Sequence, residues 1–359
     1  MNKRILFVQF DSARNGVSTV HTSLAKYFKE EGFYVEFLTY KKENNTDETV
    51  NSLGLKSFNI INYLLSFIYA DRFLKKCRPD IIISASELNT APFSFWKRKY
   101  GYYLLLNQHT NIEDFLSHSS YFKRVLYRTV SKINKSADII ANVSVAAAEA
   151  TNRYYSINNC AVLYNPIEPY KEFFSIKEDP IFNGSKVIVA CGQVTEGKNY
   201  SLMLRAFASA KKILNEANLK LLILGTGPDK ILNELKFLAK ELNIEDYVIF
   251  KGCVPNPRDY MYFSEFLLHT SLYEGLPMVF LEALSAGIPV VTTPFNSSAY
   301  EVLGDDKYGL VLEDYQVESV VKGITTMLQI KKDKEFYQQG IKKFLPEECY
   351  KAYKKILNI

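Results

Sequence analysis

The strongest constraint on this chain is an alternation that runs through it twice. A short apolar run gives way to a turn and then an amphipathic helical stretch, and a further apolar run follows. Ile5–Gln9 reads as a strand, a loop containing Gly16 follows, and a helix lies near Val17–Glu31. Gly32 ends that helix and Tyr34–Thr39 is a second strand. A strand–helix–strand start builds a parallel sheet through right-handed crossovers. Pro79–Ser84, Tyr102–Asn107 and Asp138–Val143 continue the strands, with Ile60–Lys76 an amphipathic aromatic stretch and Phe115–Ser136 a basic, aromatic helical region. Asn44–Ser57 is polar and reads as a loop.

The pattern then stops and restarts. Pro169–Ser185 is polar and reads as a linker. Beyond it come a strand at Lys186–Ala190, a loop at Gly192–Asn199 and a helix at Tyr200–Leu214. A strand at Lys220–Leu224, a tight turn at Gly225–Pro228, a helix at Asp229–Leu242 and a strand at Tyr247–Phe250 follow, then Phe266–His269 and Gly309–Leu312. A chain of 359 residues exceeds one ordinary domain and fits two. The expected fold is therefore α/β, with two Rossmann-like domains facing across a cleft. Residues 1–167 form the first, 168–340 the second, and 341–359 a helical tail around Pro346.

Composition narrows the class. A hydrophobic share of 47% with 23% charge is globular. The start lacks a secretory leader, and no apolar run approaches the roughly 18 residues of a spanning helix, so a cytoplasmic protein is expected. The five cysteines are scattered without a C-x-x-C, which favours reduced thiols over zinc or a disulfide framework. Residues 1–165 hold 21 basic against 14 acidic side chains, whereas the remainder holds 23 against 25. A basic first half suits nucleic acid, an anionic membrane or an anionic substrate. The basic patches at Lys97–Lys99 and Lys123–Lys135 lack a nucleic-acid recognition motif, which argues against nucleic acid.

The densest chemistry lies in Ser271–Thr293. Tyr273–Gly275 is a turn, Pro277 suits the first turn of a helix, and Phe280, Leu281 and Leu284 give that helix apolar faces. Gly287 stops it, Pro289 blocks its continuation, and Val290–Thr293 reads as a buried strand. Glu274 precedes the helix and Glu282 lies about a turn inside it. A helix N-terminus offers unpaired N–H groups and partial positive charge to a phosphate, and flanking carboxylates can accept hydrogen bonds from sugar hydroxyls. Lys198, in a loop at the amino end of another helix, can meet diphosphate oxygens. His109 follows a strand at the edge where open α/β sheets place ligands, whereas His21, His118 and His269 read as structural.

With Glu274, Gly275, Pro277 and Glu282 in order before a strand, the stretch resembles the E-x7-E signature of glycosyltransferase family 4. The resemblance implies a GT-B fold, a nucleotide-sugar donor, retention of anomeric configuration, and a tail that crosses back to the first domain. It assigns Glu282 to the ribose hydroxyls and Glu274 to the donor sugar. It gives Lys198 and the backbone of Gly275, Leu276, Pro277, Met278 and Val279 to phosphate and sugar oxygens. Val254 would meet the nucleobase, Gly16 would face the diphosphate, and His109 would hydrogen-bond the sugar. The family arginine five residues before the lysine is here Gln193, which keeps hydrogen bonding and loses charge. Asp-x-Asp is absent from a metal-binding context, so neither a metal nor another cofactor is expected.

The combined expectation is a retaining hexosyltransferase using a UDP-sugar, with a growing lipid-linked bacterial surface glycan as acceptor. The basic, aromatic regions of the first half suggest peripheral attachment to an anionic membrane on its inner face. The alternatives are an inactive sugar- or nucleotide-binding relative, to which Gln193 points, and another enzyme on the same fold, such as a phosphorylase or an epimerase.

Overall fold

A computed structural model describes residues 3–10, 16–41, 50–55, 59–117, 119–171, 176, 179–214 and 218–359. The chain divides into two compact units, Met1–Pro166 with Pro346–Ile359, and Ile167–Leu345.

The sheet of the first unit contains β1 (Arg4–Gln9), β2 (Tyr34–Lys41), β3 (Val50–Leu55), β4 (Ile81–Ala85), β5 (Tyr103–Gln108), β6 (Ile139–Asn142) and β7 (Ala161–Val162). All pairs are parallel, in the order β3-β2-β1-β4-β5-β6-β7. Its helices are α1 (Gly16–Glu30), α2 (Ile60–Cys77), α3 (Glu87–Tyr100), α4 (Ile112–Ser117), α5 (Tyr121–Asn134) and α6 (Val145–Tyr155). Ile5, Leu6, Phe7 and Val8 are all buried, as a parallel strand covered on both faces requires. Alternate residues serve opposite layers. Ile5 and Phe7 pack with Leu24 and Phe28 of α1, while Leu6 and Val8 pack with Leu74 of α2 and Phe93 of α3.

In the second unit β8 (Lys186–Cys191), β9 (Leu219–Leu224), β10 (Val248–Gly252), β11 (Phe266–His269), β12 (Val290–Thr292) and β13 (Gly309–Val311) pair in parallel as β10-β9-β8-β11-β12-β13. The helices are α7 (Tyr200–Leu214), α8 (Asp229–Glu241), α9 (Pro257–Phe263), α10 (Met278–Ser285), α11 (Ser298–Leu303), α12 (Val317–Gln329) and α13 (Lys334–Gln338). Strand order reverses between β1 and β4 in one sheet and between β8 and β11 in the other. Open α/β sheets bind ligands outside the strand ends at such a reversal.

The last helix, α14 (Pro346–Leu357), belongs to the first unit. Tyr350 packs on Phe28 with ring centroids 4.8 Å apart, and the Tyr353 hydroxyl accepts from Asn107 Nδ2 at 2.6 Å. The unit boundary falls at Leu345 rather than at residue 340, because the short 3-10 turn Gln339–Phe344 stays with the second unit. There Phe344 O accepts the Ile167 N–H at 2.8 Å. Among the described residues no helix is long and apolar enough to cross a membrane.

Several elements differ from the sequence reading. Part of the polar stretch read as a loop is β3, an edge strand that gains its order by pairing with β2. Helix α3 was hidden by Pro92, a helix breaker that sits buried within it. The basic helical region is two helices, the second started by the Ser120 hydroxyl accepting from Lys123 N–H at 3.4 Å. His118 lies outside the described residues.

Gly225 has φ +144°, and a Cβ there would lie 1.9 Å from Gly192 O. Gly225→Ala must therefore part the loops after β8 and β9. We expect a loss of at least about 3 kcal/mol by urea titration, in the upper range for single substitutions. Glu87, in the first turn of α3, is 2% exposed and its Oε1 has no hydrogen-bond partner. Burial pushes its carboxyl up from the ordinary 4.5 to about 8. Between these values only the unfolded chain releases the proton, so folding stability falls as pH rises and levels off above the folded value. The slope approaches about 1.4 kcal/mol per pH unit. Glu87→Gln should narrow the difference between the melting temperatures measured near pH 5 and pH 8.

Candidate active site

The loops after β8 and β11, the two strands at the reversal, are joined by specific hydrogen bonds. The loop after β8 carries a 3-10 turn, Glu196–Lys198, followed by Asn199 in the left-handed region at φ 49°. The Thr270 hydroxyl lies 3.0 Å from both Lys198 O and Asn199 O, and Leu272 N–H donates to Gly197 O at 2.8 Å. These contacts bring the Lys198 ammonium against the Glu274 carboxylate as an ion pair.

Glu274 is held from several sides. Its Oε1 accepts from His269 Nε2 at 3.0 Å and from the Ser271 hydroxyl at 2.9 Å, and Asn296 Nδ2 donates to its backbone carbonyl at 2.6 Å. A carboxylate only accepts, so His269 Nε2 carries the hydrogen, and Nδ1 lies 3.1 Å from the Thr292 hydroxyl. Burial alone would raise the Glu274 carboxyl. The hydrogen bond from His269 and the Lys198 ammonium outweigh it and hold the group at about 2. Burial lowers the His269 imidazole, while its hydrogen bond and proximity to Glu274 oppose that shift.

Helix α10 begins directly beyond. Pro277 is its N-cap rather than a residue of its first turn, since the helix starts at Met278. Leu276 and Pro277 are buried, while Gly275, Met278 and Val279 remain partly exposed at the mouth of the helix. First-turn N–H groups have no acceptor within their own helix. Glu282 lies a turn further along, and its carboxyl is raised by burial, with Arg258 opposing. Its backbone carbonyl accepts from the Ala286 N–H at 3.0 Å and the Ser285 hydroxyl at 2.8 Å, whereas its carboxylate accepts no hydrogen bond from a described residue. Gln193 is exposed in the same loop as Lys198, next to Val194, whose N–H donates to Thr226 O at 2.9 Å. The Gly225–Pro228 turn is a packing turn, for a Cβ on Gly227 would lie 2.0 Å from Val194 O. Val254 follows β10, joined to this group through the Gly225 N–H that donates to Gly252 O at 2.8 Å. Among the described residues no three His, Cys, Asp or Glu side chains gather so as to hold a metal ion.

The second unit thus brings Lys198, Glu274, the start of α10 and Glu282 together, with Gln193 and Val254 on adjoining loops. Gly16 and His109 belong to the first unit. Gly16 opens α1, and a Cβ there would meet nothing within 4 Å, so packing does not demand a glycine. His109 follows β5 with both ring nitrogens buried, and burial pushes it down to about 4 against an opposing interaction with Asn165. His21 meets it edge-on with ring centroids 5.9 Å apart, and its Nδ1 donates to Gln9 Oε1 at 3.0 Å. The sequence reading missed His269, Ser271 and Asn296 as supports for Glu274. The signal that singled out His109, a histidine ending a parallel strand at the ligand edge, applied equally to His269.

Known proteins resemble this chain in sequence and fold. The family described as glycosyl transferases group 1 matches residues 172–343, and glycosyltransferase family 4 matches residues 14–171. A Campylobacter jejuni N-acetylgalactosamine-N,N'-diacetylbacillosaminyl-diphospho-undecaprenol 4-alpha-N-acetylgalactosaminyltransferase is 36% identical over 59% of this chain and 57% of its own length. Less than two thirds of that relative is therefore matched. The amylovoran biosynthesis glycosyltransferase AmsD of Erwinia amylovora is 23% identical over the full length of both. Among solved structures, Anabaena HepE in complex with UDP and glucose superposes with a TM-score of 0.83 at 15% identity, covering 99% of this chain and 100% of that one. Between them the two family matches run from residue 14 to residue 343, and the chain belongs to glycosyltransferase family 4, with the GT-B fold.

Proposed function

We propose that this chain is a retaining hexosyltransferase that moves a sugar from a nucleotide diphosphate sugar, a UDP-sugar first, to a growing lipid-linked bacterial glycan. The observation that carries the reading is the ionised Glu274, paired with Lys198 and His269 beside the start of α10 at the strand reversal. That arrangement offers an ammonium and helix amides to a diphosphate, and carboxylates to hydroxyls. The relatives support the substrates, since the Campylobacter enzyme is named for a diphospho-undecaprenol acceptor and HepE was solved with UDP and glucose.

In this reading Glu282 accepts from the ribose hydroxyls and Glu274 from the sugar. Lys198 turns from Glu274 to the departing diphosphate, and Glu274 stays charged because His269 and Ser271 still donate to it. Val254 lies along the base, while the family resemblance alone assigns Gly16 to the diphosphate and His109 to a hydrogen bond with the sugar. The acceptor oxygen bonds to the anomeric carbon on the face from which the diphosphate oxygen leaves. Its proton passes to that departing oxygen. Catalysis is then positioning and charge stabilisation, and it asks for no metal. Gln193 favours one rival, a relative that binds the donor without turning it over.

Calorimetry with UDP, GDP and ADP tests the donor. UDP should bind most tightly, and Glu282→Ala should weaken it roughly tenfold to a hundredfold, as loss of charged hydrogen bonds of about 1.5–3 kcal/mol implies. GDP preference would shift the donor to another nucleotide, and absence of binding would sink the reading. Turnover of a UDP-sugar panel tests the chemistry. Lys198→Ala should cut kcat about a hundredfold or more with a smaller change in KM, and EDTA should leave the wild-type rate unchanged. Gln193→Arg should raise kcat. Tight UDP binding without product in wild type and Gln193→Arg alike would instead establish the binding-only rival.

A further inference from the structure

The first unit carries an apolar face that its own core leaves uncovered. On α2, Ile60, Ile61, Leu64 and Ile68 are 52%, 67%, 63% and 50% exposed, at spacings that share one side of the helix. At the start of α5, Tyr121, Phe122 and Val125 are 81%, 64% and 43% exposed. Both helices pack on α3 through Tyr63, Ala91 and Val130, which sets the two stripes side by side. A hollow of about 210 Å³ lies between them, lined by Asn59, Ile60, Tyr63, Phe122 and Leu126. Solvent-facing apolar patches of this extent mark interaction sites.

Charge identifies the partner. Residues 59–70 include no charged side chain, and α5 carries Lys123, Arg124, Arg128 and Lys132 with no acid. Tyr121, Val125, Arg128 and Lys132 recur at helical spacing, so one face of α5 is apolar at its start and cationic beyond. Two of the neighbouring acids are already engaged: Asp71 pairs with Lys99 at 2.6 Å and Glu113 with Arg153 at 2.6 Å. An apolar ledge bordered by cations matches the boundary between acyl chains and anionic headgroups better than it matches water.

We propose that α2 and α5 dock the first unit on an anionic phospholipid bilayer. Ile61, Leu64, Tyr121 and Phe122 enter the headgroup–acyl boundary, and Arg124, Arg128 and Lys132 lie against the lipid phosphates. The proposal goes beyond the donor-site reading and stands on this surface alone.

Co-sedimentation with vesicles of phosphatidylcholine, with and without phosphatidylglycerol, tests it on the full chain. Wild type should bind only the anionic vesicles at about 50 mM salt and lose at least tenfold in partitioning at about 500 mM, where the screening length is short. Ile61→Glu with Phe122→Glu, and separately Arg128→Glu with Lys132→Glu, should each lose at least tenfold, at about fivefold or more per altered charge in the second pair. These positions are exposed, so both variants should keep the wild-type melting temperature, which shows folding even if nucleotide binding fails. Equal vesicle binding by wild type and variants, or none by wild type, would overturn the proposal. So would a wild-type dimer in sedimentation velocity that Ile61→Glu with Phe122→Glu converts to monomer, because the face would then be a contact between copies.

Discussion

The candidate site depends on keeping one half-buried carboxylate charged. An isolated ionised group removed from water takes up a proton instead, unless partners repay the lost hydration. Glu274 has such partners, and each is delivered by a different part of the sheet. His269 ends β11 and is fixed by Thr292 of β12, while Lys198 comes from the loop after β8 and is held by Thr270 through its backbone. Only with β8, β11 and β12 adjacent and parallel do these groups meet. The charge on Glu274 is thus a consequence of strand order, and losing that order would neutralise the group that the proposed chemistry uses.

Burial by itself does not decide what a glutamate does here. Desolvation acts on both Glu87 and Glu274, yet it pushes one carboxyl up to about 8 while partners hold the other down at about 2. Glu87 has an oxygen with no partner, whereas Glu274 has a histidine, a serine and a lysine. Glu282 lies between the two cases, raised by burial with only the Arg258 charge against it. An acceptor without protein donors at the mouth of a site is suited to hydroxyls supplied by a ligand, as the proposed ribose contact requires.

Much of this was legible in the sequence because parallel strands are continuous apolar runs and their glycine turns punctuate them. The run from Ile5, the turn at Gly225 and the stretch from Glu274 to Thr292 all read locally. What failed to read locally was decided by distant partners. Residues 50–55 are polar for a strand, and only pairing with β2 makes them one. Pro92 breaks the helical pattern, yet tertiary packing retains the helix around it. His269 resembled any core histidine until the fold set its Nε2 on a carboxylate five residues later in the chain. Residue type marked Glu274 as a candidate, but its ionisation depended on neighbours that spacing does not reveal.

The last helix carries this dependence on distance furthest. Tyr353 of α14 is fully buried, and its hydroxyl receives Asn107 across 246 residues of sequence. The core of the first unit is therefore incomplete until the second unit has been made, although its sheet could pair much earlier. The second unit is in effect an insertion into the first, and the Ile167 N–H to Phe344 O hydrogen bond ties its entry to its exit. That closure lets α14 return without a long open loop, whose ordering would cost entropy before any contact repaid it. Removing the aromatic contacts of α14 would leave Asn107 without its partner and open the layer beside β1. The short tail is thus part of the scaffold from which His109, two residues beyond Asn107, is presented.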